Sequence, residues 1–265
     1  MDTNPNHTDT KTRLIAGVKV PDTQLVNAVL EFCKEYYDDL TWKHVNRSWL
    51  FGAIIASKTT DFKSPTFTDE KAFFDREIHA VSALLHDVSW DCNKSGENFG
   101  SLDKRFEVDG ANAAILLLRT KFQQALLDPG ALDQRKLQLV WDSIALHATP
   151  SIAFHKEPEV AITSAGIMTD FSGPLPPEIP NPANLVTWEE WDRIVEAFPR
   201  TRVTENGEEE FKSGVKKFIC ALCERKPEST HGTWMEAFGD RWVDGYKDRL
   251  DGTDLMMMPV LRPEM

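Results

Sequence analysis

Cysteine is scarce in this chain: Cys33, Cys92, Cys220 and Cys223 are the only four among 265 residues. They are too few and too scattered for a disulfide framework at this size. Positive charge is in deficit as well, with 30 Lys and Arg against 42 Asp and Glu and a net charge of −12, which argues against broad contact with nucleic acid or an anionic membrane. Long apolar runs are missing. No stretch approaches the roughly 18 uninterrupted apolar residues of a membrane span, and the opening MDTNPNHTDTKTR lacks the apolar segment of a secretory signal. A soluble cytoplasmic protein is the expectation. The 14 glycines nowhere form Gly-x-Gly-x-x-Gly, a P-loop or Gly-x-Ser-x-Gly, so dinucleotide, P-loop and serine-hydrolase chemistry have no support.

What is present is helical periodicity. Thr23 can cap a helix carrying Leu25, Val26, Val29, Leu30 and Cys33, and a second pattern runs from about Trp42 to Ser57. Asp69 or Asp75 opens a third, with Ile78, Val81, Leu84 and Leu85 on one face. Further patterns cover about 108–127, 133–148 and 158–172, each closed by proline or glycine punctuation. Five prolines between 174 and 182 mark an extended connector. Shorter patterns follow near 187–198, 209–225 and 231–250. No sustained period-2 alternation occurs. The expected architecture is all-α, with a flexible stretch at 1–20, a core over 21–173, a Pro-rich connector at 174–184 and a C-terminal helical extension over 185–265.

The chemistry-bearing residues interrupt these apolar faces. His86-Asp87 ends the helix AVSALLHD, offering an imidazole and a carboxylate that suit Zn²⁺, Fe²⁺ or Mn²⁺; a core histidine beside a capping aspartate is the alternative. His44 sits in TWKHVNRSWLFG with Arg47 one turn on, and Asp170 ends EVAITSAGIMTD, where an inward carboxylate needs a cation or several donors. His44, His86, Asp87 and Asp170 together supply two imidazoles and two carboxylates and leave a position for water.

That order of His, His-Asp and Asp, each on its own helix, resembles the HD superfamily of metal-dependent hydrolases. KHVNRSWLFG, ALLHDVSWD, RFEVDGANAA, VWDSIALHATPSIAFHKEPEVA and AGIMTDFSG are closer to its cyanamide-hydratase-like branch. The likeness spans His44 to Gly173. It implies an HD-domain helical bundle in which His44, His86, Asp87 and Asp170 bind one divalent ion, zinc first, with iron or manganese as alternatives. Two-metal members place a further histidine where RFEVDGA has Phe106, which favours a mononuclear site.

Other candidates carry two readings each. His147 shares a face with Val140 and Ile144 and is either a pocket group that moves a proton or a packed core histidine. Arg47 either grips an anionic substrate or buttresses an acid. His155 reads as a surface or hinge residue, and His79, seven residues before His86 and about 10 Å along the axis, as a packing or surface residue. Asp91 and Glu107 read as exposed acids or proton acceptors. Cys220-x-x-Cys223 reads as a buried thiol pair on a helix.

The resemblance implies a hydratase or hydrolase that adds metal-activated water to a small-molecule substrate, nitrile- or cyanamide-like, giving an amide or urea. The alternatives are an HD phosphohydrolase, with Arg47, Lys43 or Lys156 gripping phosphate, and a non-catalytic HD-fold binding protein. No nucleic-acid or membrane partner is expected, and a homo-oligomer is compatible with all three.

Overall fold

A computed structural model describes residues 11–59, 74–90, 99–125, 132–178, 181–204 and 207–248. The chain is mostly helical, and the first helices begin where a side-chain oxygen takes an otherwise unpaired amide. Thr23 accepts from Val26 N ahead of α1 (Gln24–Tyr36), and Asp38 from Thr41 N ahead of α2 (Asp39–Lys58). Asp75, rather than Asp69 (outside the described residues), caps α3 (Arg76–Leu85) by accepting from Glu77 N and Ile78 N. Then come α4 (Phe106–Arg119), α5 (Gln134–Ala145, capped by Asp133), the short α6 (Pro150–Ala153) and α7 (Pro158–Ser172). Pro158 occupies the first turn of α7, and Gly173, at φ +73°, closes it. After the Pro-rich segment, a Thr187/Glu190 capping box starts α8 (Trp188–Ala197). The chain continues into α9 (Phe211–Arg225) and α10 (Glu236–Trp242).

Two hairpins depart from the all-α expectation. β1 (Thr12–Ile15) pairs antiparallel with β2 (Val18–Pro21), and β3 (Thr201–Thr204) with β4 (Gly207–Glu210). From residue 11 onward the expected flexible N-terminus is therefore ordered. Ala16 and Gly17, at φ 47° and 76°, make the tight turn. Val18 and Val20 insert into the main core at 7% and 0% exposure. Burying a valine contributes about 1.5–3 kcal/mol, so these two anchor a four-residue ladder too short to stand alone. Four-residue strands are too brief to display alternation, which is why the sequence pattern hid them. β4 runs to Glu210, so the helix expected from about 209 begins at Phe211.

The main core gathers apolar faces of α1 to α5, α7 and β2. Helices α2 and α7 cross closely, because two glycines meet there. A Cβ on Gly166 would lie 2.7 Å from Gly52 N and 2.9 Å from Gly52 Cα, and closer still to the Ser48 carbonyl. This crossing lies within two turns of His44 on α2 and Asp170 on α7. A second apolar cluster forms beside it from α9, α10 and the residues after them, with Phe211, Val215, Phe218, Ile219, Leu222, Met235 and Tyr246. Trp90 and Phe106 join this cluster from the His86-Asp87 side. The C-terminal helices thus cover one end of the bundle. No helix among the described residues is long and apolar enough to cross a membrane.

Candidate metal centre

The His86-Asp87 turn is positioned through its backbone. Helix α3 stops at Leu85, and the carbonyls it leaves behind are taken by side chains of α1. Tyr37 OH donates to Leu84 O at 3.1 Å, with Cys33 Sγ at 3.3 Å on the same oxygen, and Tyr36 OH donates to Val88 O at 3.0 Å. From the other side, Ser89 OH donates to Phe106 O at 2.6 Å, tying the turn to the start of α4. Tyr36 and Tyr37 escaped the sequence reading because nothing in their local pattern distinguishes a core tyrosine from one that holds the His86-Asp87 turn.

Each ring is also fixed in tautomer. His86 Nδ1 lies 2.8 Å from Ala83 O, and His44 Nδ1 lies 2.6 Å from Asp170 Oδ2; both partners only accept, so both Nδ1 atoms carry the proton. That leaves the two Nε2 lone pairs facing each other at 3.2 Å. Asp87 Oδ2 closes the triangle, 3.3 Å from His86 Nε2 and 3.6 Å from His44 Nε2. Two lone pairs and a carboxylate oxygen converging in a buried space repel one another unless a proton or a cation lies between them. His44, His86 and Asp87 are each no more than 3% exposed, and their donor atoms all lie within 4.8 Å of one another. The group could hold a metal ion, and its two-nitrogen, one-oxygen donor set fits a borderline divalent cation with positions left for water or substrate.

Burial disfavours charge throughout this group, and the neighbours decide which residues keep it. Burial pushes His44 down despite Asp170. His86 also feels burial, but the adjacent Asp87 carboxylate outweighs it and raises the imidazole. Burial would raise Asp87, yet when a proton rather than a cation sits on His86 Nε2, the imidazolium charge and its hydrogen bond hold that carboxyl at about 2.

Asp170, expected as the fourth ligand, stands one step behind. Both of its oxygens are committed: Oδ2 to His44 Nδ1 and to Arg47 Nη2 at 2.9 Å, Oδ1 to Arg47 Nε at 2.7 Å and to Arg200 Nη1 at 2.8 Å. Arg200 also donates to the Asp170 carbonyl. The Arg47 guanidinium and the His44 N–H beside this fully buried carboxylate hold its pKa well below the usual range, overriding a burial effect that would raise it. A carboxylate held in this way orients the His44 ring and raises the basicity of its Nε2. Arg47, expected either at the substrate or against an acid, takes the second role. It is fully buried, spends its remaining bonds on the Phe198 and Pro199 carbonyls, and lines neither cavity described below. Arg200 was missed because it lies outside the segment that carries the resemblance and reaches back from the C-terminal third of the chain.

Two cavities meet at the His44–Asp87 side of the group. The inner one, of about 240 Å³, is walled by Trp90, Phe106, Ile167, Met168, Phe171 and Trp234, with His86 and His147 on its polar side. His147 is buried, donates Nδ1–H to Ile144 O at 2.7 Å and so presents an unprotonated Nε2; burial holds its pKa down at about 3. Its ring centroid is 4.9 Å from that of His86, and Ser164 OH anchors its carbonyl at 2.8 Å. Phe106 turns an apolar ring to this cavity. The outer cavity, of about 270 Å³, is roofed by α9 and bordered by Asp38, Arg202, Lys217 and Arg225. Phe211 of α9 covers His44, its ring 4.8 Å from the imidazole.

The other candidates disperse. His79 packs in the core with no partner on Nε2, and burial drives its pKa to about 3. His155 is exposed, as expected. Glu107, expected as an exposed acid, is instead fully buried against Arg105 at 2.5 Å. Asp91 lies outside the described residues. Lys43 is engaged with Asp39 and the Thr201 carbonyl, and Lys156 with Asp142 and Glu157, so neither reaches the metal group. Cys220 and Cys223 are free thiols on α9, the first half-buried and the second buried. Comparison of the chain with models of known families and with characterised proteins returns no match, so the geometry of His44, His86 and Asp87 carries the functional reading.

Proposed function

We propose that this chain is a metal-dependent hydratase or hydrolase that holds one divalent ion on His44, His86 and Asp87 and acts on a small molecule seated in the inner cavity. The observation that carries this reading is the convergence of two tautomer-fixed Nε2 atoms and one carboxylate oxygen at the mouth of an aromatic pocket. A bound ion supplies Lewis acidity there, lowering the pKa of water toward neutrality. The protein's own contributions follow from its contacts. Asp170 keeps the His44 Nδ1 proton in place, with Arg47 and Arg200 neutralising the carboxylate. His147 Nε2 offers an acceptor that orients a water or takes its proton. Trp90, Phe106, Phe171 and Trp234 give the cavity an apolar wall that suits a compact electrophile, consistent with a nitrile or cyanamide group. The resemblance to the cyanamide-hydratase-like branch of the HD superfamily belongs to this reading, as does zinc as the first choice of metal.

The phosphohydrolase alternative is weaker at the reacting centre. Arg47, Lys43 and Lys156, the cations it would use, are all engaged elsewhere, and the inner cavity carries neither Lys nor Arg. The test is turnover by the metal-loaded protein on cyanamide and small organic nitriles, set against a nucleotide panel. Amide or urea formation that disappears in His86→Ala supports the proposal. Phosphate release without nitrile turnover overturns it.

A further inference from the structure

The inner cavity divides by chemistry. Its polar side chains are the imidazoles of His44, His86 and His147 and the Asp87 carboxylate, all of them in the metal group or beside it. The rest of its described lining carries no hydroxyl, amide, Lys or Arg side chain. Four rings dominate that part, and they start at the histidines. Phe171 lies 5.4 Å from His44 and Phe106 lies 5.7 Å from His147, centroid to centroid, each with its plane steeply crossed. Trp90 continues from Phe106 at 5.5 Å, and Trp234 from Phe171 at 6.4 Å. Trp90 and Phe106 are buried, whereas Phe171 and Trp234 are each 37% exposed and border the opening. The volume, about 240 Å³, is room for about eight waters at ~30 Å³ each. Cyanamide, a single N–C–N row of heavy atoms, would leave most of that space unfilled, and a wall without a neighbour forfeits its dispersion contacts. A charged or hydrogen-bonding extension of the substrate would find no side-chain partner there. An alkyl extension suits any apolar wall, but four rings reward an aromatic guest further, through offset and edge-to-face contacts beyond area burial.

We propose that the substrate is an aromatic nitrile, with its C≡N group at the His44, His86 and Asp87 end of the cavity and its ring between Phe106 and Phe171, bordered at the opening by Trp234. The inference rests on the hydratase reading and deepens it by naming the substrate class. The reaction balances with water alone. The oxygen of water forms the C=O bond, both π bonds of C≡N are lost, both water protons end on the nitrogen, and nothing leaves. The product is the aromatic amide.

The test is calorimetric titration of the full chain, metal-loaded and chelator-treated, with benzonitrile, cyclohexanecarbonitrile and acetonitrile. The same titrations are made on F171L/W234L, which keeps apolar bulk at two partly exposed positions and removes both rings. F171L alone is measured beside it, so that the comparison stands if the double variant does not fold. Benzonitrile is expected to bind tightest and acetonitrile weakest, about ten-fold or more apart, with or without metal. In the variants the preference for benzonitrile over cyclohexanecarbonitrile should fall about three- to ten-fold, the loss of an aromatic pair. Equal binding of benzonitrile and acetonitrile, equal binding of benzonitrile and cyclohexanecarbonitrile, or a preference unchanged in the variants overturns the assignment. Amide or urea formation assayed on the same samples separates the two readings. Benzonitrile binding without turnover of any nitrile or of cyanamide sinks only the hydratase reading, and cyanamide turnover without benzonitrile binding sinks only the aromatic one.

Discussion

Replacing Gly166 with alanine sets one methyl group against the backbone of a neighbouring helix. Its Cβ would meet Gly52 N at 2.7 Å and Gly52 Cα at 2.9 Å, with the Ser48 carbonyl nearer still. Real Cβ contacts do not reach such distances, and no rotamer change relieves them, because the opposing atoms are main chain. Helices α2 and α7 must therefore separate. Overpacking of this kind costs about 1–3 kcal/mol, and rigid opponents put it at the upper end. Alanine returns about 1 kcal/mol of helix propensity, leaving a net loss of about 2 kcal/mol. Gly52→Ala is the control: its Cβ meets mainly the side chain of His79, with Cε1 at 2.8 Å, and a side chain can give way. Urea unfolding of both variants reads the difference, and Gly166→Ala is expected to be the less stable. The crossing also sets the 2.6 Å contact between His44 and Asp170, so Gly166→Ala should bind metal more weakly as well. Stability within about 0.5 kcal/mol of the parent chain, the range of an ordinary surface substitution, would refute the reasoning.

Asp170→Asn leaves Arg47 and Arg200 without their carboxylate and loosens the His44 tautomer; we expect a stability loss of about 3–5 kcal/mol and a metal affinity reduced about 10–100-fold, measured by unfolding and by competition with a chelator. His79 gives a pH test. Its folded pKa, about 3, lies below the ordinary 6.5, so the unfolded chain binds more protons across that interval. The stability of the neutral ring is complete above pH 6.5 and is lost as the pH falls toward 3. At pH 5 the loss is about 2 kcal/mol. His79→Leu should lose that much less stability than the parent chain between pH 7 and pH 5, and equal losses in both would contradict the burial argument. Tyr37→Phe removes the hydroxyl that holds Leu84 O and should cost about 1 kcal/mol, with metal affinity falling further than this mild loss of stability would suggest; unaltered metal binding would show that the turn holds itself.

The helices were legible because their caps are chemical. Thr23, Asp75 and Asp133 mark starts that the structure keeps, and His44, His86 and Asp87 stood out because polar residues on apolar faces need partners. Asp170 was legible as an inward acid, but its contact with Arg200 was not, since that residue is distant in sequence and carried by a segment with no periodicity of its own. The hairpins stayed hidden because four-residue strands give alternation no room. The cationic outer cavity was hidden for a related reason. Nothing in the pattern over 209–225 singles out Lys217 or Arg225, and only packing of α9 over His44 makes them the edge of a cavity.

The central claim is that His44, His86 and Asp87 hold one divalent ion. Elemental analysis of gently purified protein, beside His86→Ala and Asp87→Ala, tests it most directly. The account predicts about one equivalent of zinc, iron or manganese per chain in the parent protein and a near-complete loss in both variants, since each removes one of three ligands. Metal-free parent protein, with both variants equally stable, would contradict it.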